Sequence, residues 1–201
     1  SCMNILKLSW SIPLTLLLFG CGAPEIEEGD AESNSEQAPL LIDAACPHGA
    51  LLKSGLHPDA SDRLRCIGIT AAGISQTIGD APASAGYHAK DGTANGLPYS
   101  AATDIRTGGK TEAQIRTLLS DLATHGFAAW YRKPGSDGWP STEAPHIHAV
   151  YAGCVMKPAL DAQVKDYRAG LNGLTSHTRY TFWTASQATR DAVYNLWNKF
   201  N

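Results

Sequence analysis

The spacing of apolar and polar positions marks out the elements of this chain. In "TEAQIRTLLSDLATHG", Ile115, Leu118, Leu119 and Leu122 recur at helical spacing and give one apolar face. Thr111 and Gln114 stand before that stripe at the spacing of a capping box, and Gly126 stands where the helix should end. "SQATRDAVYNLWNKF" predicts a second amphipathic helix, capped by Ser186, with Val193, Leu196, Trp197 and Phe200 inward. "LDAQVKDYRAGLNG" predicts a third, ended by Asn-Gly, and "HPDASDRLRC" a fourth, capped by Asp59 or Ser61. "FAAWYR" and "PHIHAVYAG" are apolar runs with β-branched and aromatic residues, bounded by turn signals, and read as strands. "YTFWT" is a short one, and "PYSAATDI" is a strand-like run ending around Asp104. Asp-Gly at 91–92 and Asn-Gly at 95–96 are turn signals ahead of that run, and "KPGSDGWPSTEAP" is a turn-rich loop. Helices and hairpin-like strands are mixed without a regular βαβ alternation. The expected class is therefore α+β, a small antiparallel sheet flanked by helices.

The first residues break this pattern. "NILKLSWSIPLTLLLFGC" has one Lys and then an apolar run too short to span a membrane comfortably, which suits the apolar region of a signal peptide. Its "LFGC" ending resembles a bacterial lipoprotein signal, which implies lipidation at Cys21. "GAPEIEEGDAESNSEQAP" is acidic, rich in Ser, Gly and Pro, and poor in large apolar groups, the composition of a disordered spacer. The expected organisation is a signal peptide over 1–21, an acidic tether over 22–39 and one folded domain over 40–201. Such a chain belongs to the bacterial cell envelope, exported and tied to the membrane by a lipid.

Composition then excludes some classes. The 201 residues are 43% hydrophobic and 17% charged, with a net charge of −3. A domain of that size buries a real core. No basic excess draws in nucleic acid, and a monomer suffices. The folded domain holds Cys46, Cys66 and Cys154, so an oxidising compartment allows one disulfide with one thiol left over. Cys46–Cys66 is the favoured pair, because both flank one segment.

The chemistry lies in a few polar residues set into these elements. On the strand "PHIHAVYAG", His146 and His148 are two apart, so both rings share a face, with Cα atoms roughly 7 Å apart, while Ile147 points to the core. Upstream, His88 precedes the turns and Asp104 lies on the strand that follows them. His, Asp and His offer two imidazole nitrogens and a carboxylate, a donor set that suits zinc. Three protein ligands with one position open describe a catalytic zinc site. The two histidines on one strand face also allow both to bind one metal. Asp91 is close enough to His88 in sequence to compete as a ligand. His48, His57, His125 and His177 lack partner spacing and read as structural, and Trp130, Tyr131 and Trp139 read as packing residues.

The series His88, Ala-Thr-Asp104 and His146-x-His148 resembles the zinc peptidase superfamily that groups lysostaphin, D-alanyl-D-alanine carboxypeptidases and the hedgehog signalling domain. The resemblance covers mainly residues 87 to 153. It implies that His88, Asp104 and His148 hold zinc and that His146 assists catalysis, as in lysostaphin-like members. Carboxypeptidase members carry a Glu three residues before the last His; that position is Pro145 here, and Glu143 stands near it. Sixteen residues separate His88 from Asp104, more than is usual in the family, so a loop is inserted. No Arg lies between Ile69 and Tyr87, where carboxypeptidase members often have one, which leaves Arg106, Arg132 or Lys90 to bind substrate.

The expected function is a zinc-dependent hydrolase of peptidoglycan peptides, carboxypeptidase-like, with His146 or Glu143 handling the proton. The alternatives are a zinc-dependent endopeptidase of the same material and a non-catalytic, zinc-containing wall-binding module of hedgehog type. The segment from Asp91 to Pro98 and the loop "KPGSDGWPSTEAP", with Trp139 on it, are expected to wall the cleft.

Overall fold

The computed structural model describes residues 46–79 and 84–201, all within one compact unit, Glu36–Asn201. The segments expected as signal peptide and tether, with Cys21, lie outside the described residues. Among the described residues no helix is long and apolar enough to cross a membrane.

The architecture is α+β. Helices are α1 (Pro58–Cys66), α2 (Glu112–Thr124), α3 (Pro158–Ala169) and α4 (Gln187–Trp197). Strands are β1 (Ile74–Gln76), β2 (Gly92–Ala94), β3 (Leu97–Tyr99), β4 (Ala102–Arg106), β5 (Phe127–Arg132) and β6 (His146–Tyr151). Four of them form an antiparallel sheet in the order β1-β4-β6-β5, and β2 and β3 form a separate hairpin. Asn95 and Gly96 both take positive φ (51° and 78°) between β2 and β3, the conformation a tight hairpin turn requires.

The capping box of α2 forms as its sequence dictates. Thr111 accepts from the Gln114 amide and Gln114 from the Thr111 amide, while Ile115, Leu118, Leu119 and Leu122 are buried. His125 caps the other end and Gly126 follows at φ 86°. Ser186 caps α4 through the Thr189 amide.

Several expectations are corrected. The cap of α1 is His57, whose ring accepts from the Asp59 amide, with Pro58 opening the helix where a missing N–H costs nothing. Helix α3 ends at Gly170 (φ 75°), ahead of Asn172-Gly173. Phe200 lies past the end of α4 and is exposed. Residues 180–184 form no strand, because the Asp137 carboxylate accepts the Thr181 and Phe182 amides that a ladder would have used. "PYSAATDI" is split between β3 and β4, which puts Asp104 in the middle of a strand rather than at its end. The Asp-Gly at 91–92 makes no turn: Gly92 enters β2, where a Cβ would meet the Tyr99 hydroxyl at 2.6 Å.

Cys46 and Cys66 form the disulfide, 20 residues apart, and Cys154 is a buried free thiol. Closing a loop of that size lowers the entropy of the unfolded chain by the equivalent of about 3 kcal/mol. Replacing both cysteines by Ser should therefore lower unfolding stability by roughly that amount, as read by urea denaturation without reductant. An unchanged midpoint would assign the bridge no role in stability. Burial pushes the Cys154 thiol well above its ordinary range, so it is no nucleophile.

Candidate metal centre

Register brings the site together. Asp104 on β4 pairs with His148 on β6, which pairs with Trp130 on β5. One step on, Arg106, His146 and Arg132 stand side by side across the same three strands. Directly paired residues, and those two apart, share a sheet face, so all six occupy one face. Ile105, Ile147 and Ala149 point the other way and are fully buried.

His88 arrives from outside the sheet. Its Nε2 lies 3.2 Å from Asp104 Oδ1, and His148 Nδ1 lies 3.0 Å from the same oxygen. All three residues are buried, and their ligand atoms lie within 4.8 Å of one another, a group that can hold a metal ion. His146 falls outside that group; its Nε2 is 3.7 Å from Asp104 Oδ1 and its ring is half-buried. Asp91, the competing ligand, points elsewhere and bonds Lys157.

Hydrogen bonds fix which ring nitrogens are free. His88 Nδ1 is 3.1 Å from the Thr77 carbonyl, which can only accept, so that nitrogen carries the proton. Gln163 donates its amide to the Gly173 carbonyl at 2.8 Å and so turns Oε1 to His148 Nε2 at 3.0 Å, which must donate. His146 Nδ1 likewise donates to the Ala144 carbonyl at 3.0 Å. In their neutral forms none of the three rings carries a proton on the nitrogen nearest the Asp104 carboxylate. Acceptors packed this closely repel each other unless a metal ion lies among them or a ring is protonated. A carbonyl or amide oxygen on the far nitrogen is also what orients a metal-binding imidazole. The donor set fits a metal on these grounds.

The electrostatics agree. Burial alone would raise the Asp104 carboxyl, but the His148 and His88 rings beside it outweigh burial and hold the group far below the usual carboxylate range. Burial lowers the His148 imidazole and favours its neutral, ligating form, against the pull of Asp104.

A cavity of about 940 Å³ lies over this face. Its wall includes His88, Asp104, His146 and His148, together with Glu143 and Trp139 from the loop over 133–145. The β2–β3 hairpin contributes nothing to it among the described residues. Ser84, Ala85, Tyr87 and residues 174–176 wall the cavity instead, because the hairpin's base is turned toward α3 by Asp91. Arg106 and Arg132 both line it, and Lys90 does not. Arg132 is 3% exposed, and burial brings its guanidinium down to about 10, still a cation at neutral pH. Among the described residues it makes one hydrogen bond, from Nη1 to the Asn172 carbonyl at 2.7 Å, and lies over the rings of Trp130 and Trp139. Thr107 Oγ1 and Trp139 Nε1, on residues of the same wall, are buried without a partner among the described residues.

Two supporting residues had weak signals. Gln163 falls on the apolar stripe of α3 with Leu160, Val164 and Tyr167, and a polar residue there calls for a buried partner. Gly173, whose carbonyl orients Gln163, sits where a Cβ would meet the Trp130 ring at 2.8 Å. Cys46, Cys66 and His125 also come together, but the disulfide removes both sulfurs as ligands. The chain matches no family model, no curated protein and no solved structure.

Proposed function

We propose that this chain is a zinc-dependent hydrolase of peptidoglycan peptides, of D-alanyl-D-alanine carboxypeptidase type, with zinc held by His88, Asp104 and His148. The observation that carries this reading is the cluster of two buried imidazoles and a buried carboxylate, their ligand atoms within 4.8 Å of one another, beside a large cavity. Two nitrogens and one carboxylate oxygen, with a side open to the cavity, are the ligand count and type of catalytic zinc. Bound there, zinc would supply a Lewis acid that polarises the scissile carbonyl.

The chain's own groups supply the rest. His146 is at the edge of the site with Nδ1 committed to Ala144, so Nε2 is free to take a proton from the attacking water and pass it to the leaving amine. Glu143 lines the same cavity and is the second candidate for that role. Arg132 is a buried cation with donors to spare, suited to a terminal carboxylate. That favours trimming of chain ends over cleavage within a cross-link.

The test is native mass spectrometry of the folded chain for zinc, alongside incubation with pentapeptide-bearing muropeptides. One zinc per chain and release of a single D-alanine are expected. Splitting of cross-linked dimers would make the enzyme an endopeptidase, zinc without turnover would make it a binding module, and no zinc would end the reading. Arg132→Met should keep zinc and raise KM for free-acid peptides roughly 10–100-fold, the scale of one charged hydrogen bond. It should leave C-terminally amidated peptides unaffected. Equal losses on both would remove Arg132 from the carboxylate.

A further inference from the structure

The long step from His88 to Asp104 poses a geometric problem: an inserted hairpin separates two residues that must meet at 3.2 Å. We propose that Asp91 and Lys157 form the positioning device for the first ligand, closing the base of the insertion and fixing His88 against Asp104. The proposal rests on reading His88, Asp104 and His148 as a metal centre.

The Asp91 carboxylate is wholly buried and saturated. Its Oδ2 accepts from the Ala101 amide at 2.7 Å and the Ser100 hydroxyl at 3.3 Å, on the segment that leads into β4. Its Oδ1 accepts from the Lys157 amide and ammonium, both at 2.8 Å. The Asp91 amide donates to the Tyr99 carbonyl at 2.8 Å, so the two ends of the hairpin are tied together at its root. The Lys157 ammonium then reaches the carbonyls of Tyr87 at 3.1 Å and Ala89 at 2.8 Å, the two residues that flank His88. One cation thus holds the backbone on both sides of the ligand, and one carboxylate locks that cation to the start of β4 and to the residue preceding α3. Neither group lines the cavity. A buried pair saturated in this way has no capacity left for substrate, and its contacts all run to the backbone that carries His88 or leads to Asp104.

A scaffold role would lower stability and leave the folded site intact, whereas a positioning role changes the site itself. Cobalt(II), which reports ligand geometry in its visible spectrum, is the probe. Its affinity and spectrum are measured on the folded protein well below the melting temperature of each metal-free variant. Lys157→Met keeps the aliphatic stem and releases the carbonyls around His88, and Asp91→Asn removes the charge that holds the ammonium. Both should bind cobalt 10–100-fold more weakly, with a shifted visible spectrum, the range seen when groups that orient a ligand are removed. Thr93→Ala, exposed on the hairpin, should match the wild type in both. Lower melting temperatures with unchanged affinity and spectrum would overturn the proposal, as would failure of both variants to fold, since either outcome assigns the pair to the scaffold. Wild-type protein that binds no cobalt or zinc would instead remove the metal centre itself.

Discussion

Zinc added to the metal-free chain should raise its melting temperature, chelator should reverse the rise, and His148→Ala should respond to neither. The three ligand atoms lie within 4.8 Å of one another only because β4, β6 and the segment before the hairpin are folded. Zinc held by these three groups would bind the native state alone and stabilise it by mass action. At a thousandfold excess over Kd this amounts to about 4 kcal/mol. In a domain of this size that is roughly 8–16 °C. Removing the His148 ring also leaves Gln163 Oε1 without the donor it now has, so the variant's baseline falls by about a further 1–3 kcal/mol for a lost buried bond. The decisive quantity is the zinc-dependent shift and not that baseline. A wild-type melting temperature that neither zinc nor chelator moves would overturn the metal assignment.

Where the sequence was legible, local rules and tertiary contacts agreed. The α2 capping box, its apolar stripe and the alternation that puts His146 and His148 on one face follow from residues a few positions apart. His88, Asp104, His146 and His148 stand out by donor type, while the choice of His148 over His146 as the ligand comes from the resemblance to the zinc peptidase superfamily. What stayed hidden depends on contacts across long separations. Asp137 takes the amides of a segment 44 and 45 residues away and so abolishes a strand that "YTFWT" favours by propensity alone. Asp91 in an Asp-Gly pair looks like turn chemistry until Lys157, 66 residues on, claims its carboxylate. Arg132 was one of three indistinguishable cations, and only the register that sets it beside His146 separates it from Lys90.

His146→Ala should keep zinc at wild-type affinity and lose 10²–10⁴-fold in kcat, the scale of one general acid–base group. Two distances argue for a role apart from the ligands. His146 Nε2 is 3.7 Å from Asp104 Oδ1, against 3.2 and 3.0 Å for His88 and His148, and it lies outside the group whose donor atoms all cluster. Its neighbours also differ. His88 and His148 are buried at the back of the cavity wall, whereas His146 is half-buried on it with Trp139 edge-on at 5.2 Å, where a water and a peptide can reach it. The bond from Nδ1 to Ala144 holds one tautomer, so the nitrogen facing the cavity begins as a base and can return the proton as an acid. Metal content and turnover must be measured on the same sample. Loss of zinc in this variant would make His146 a ligand and move Asp104 to orienting an imidazole. Full zinc with unchanged kcat would pass the proton to Glu143, and Glu143→Gln should then show the loss.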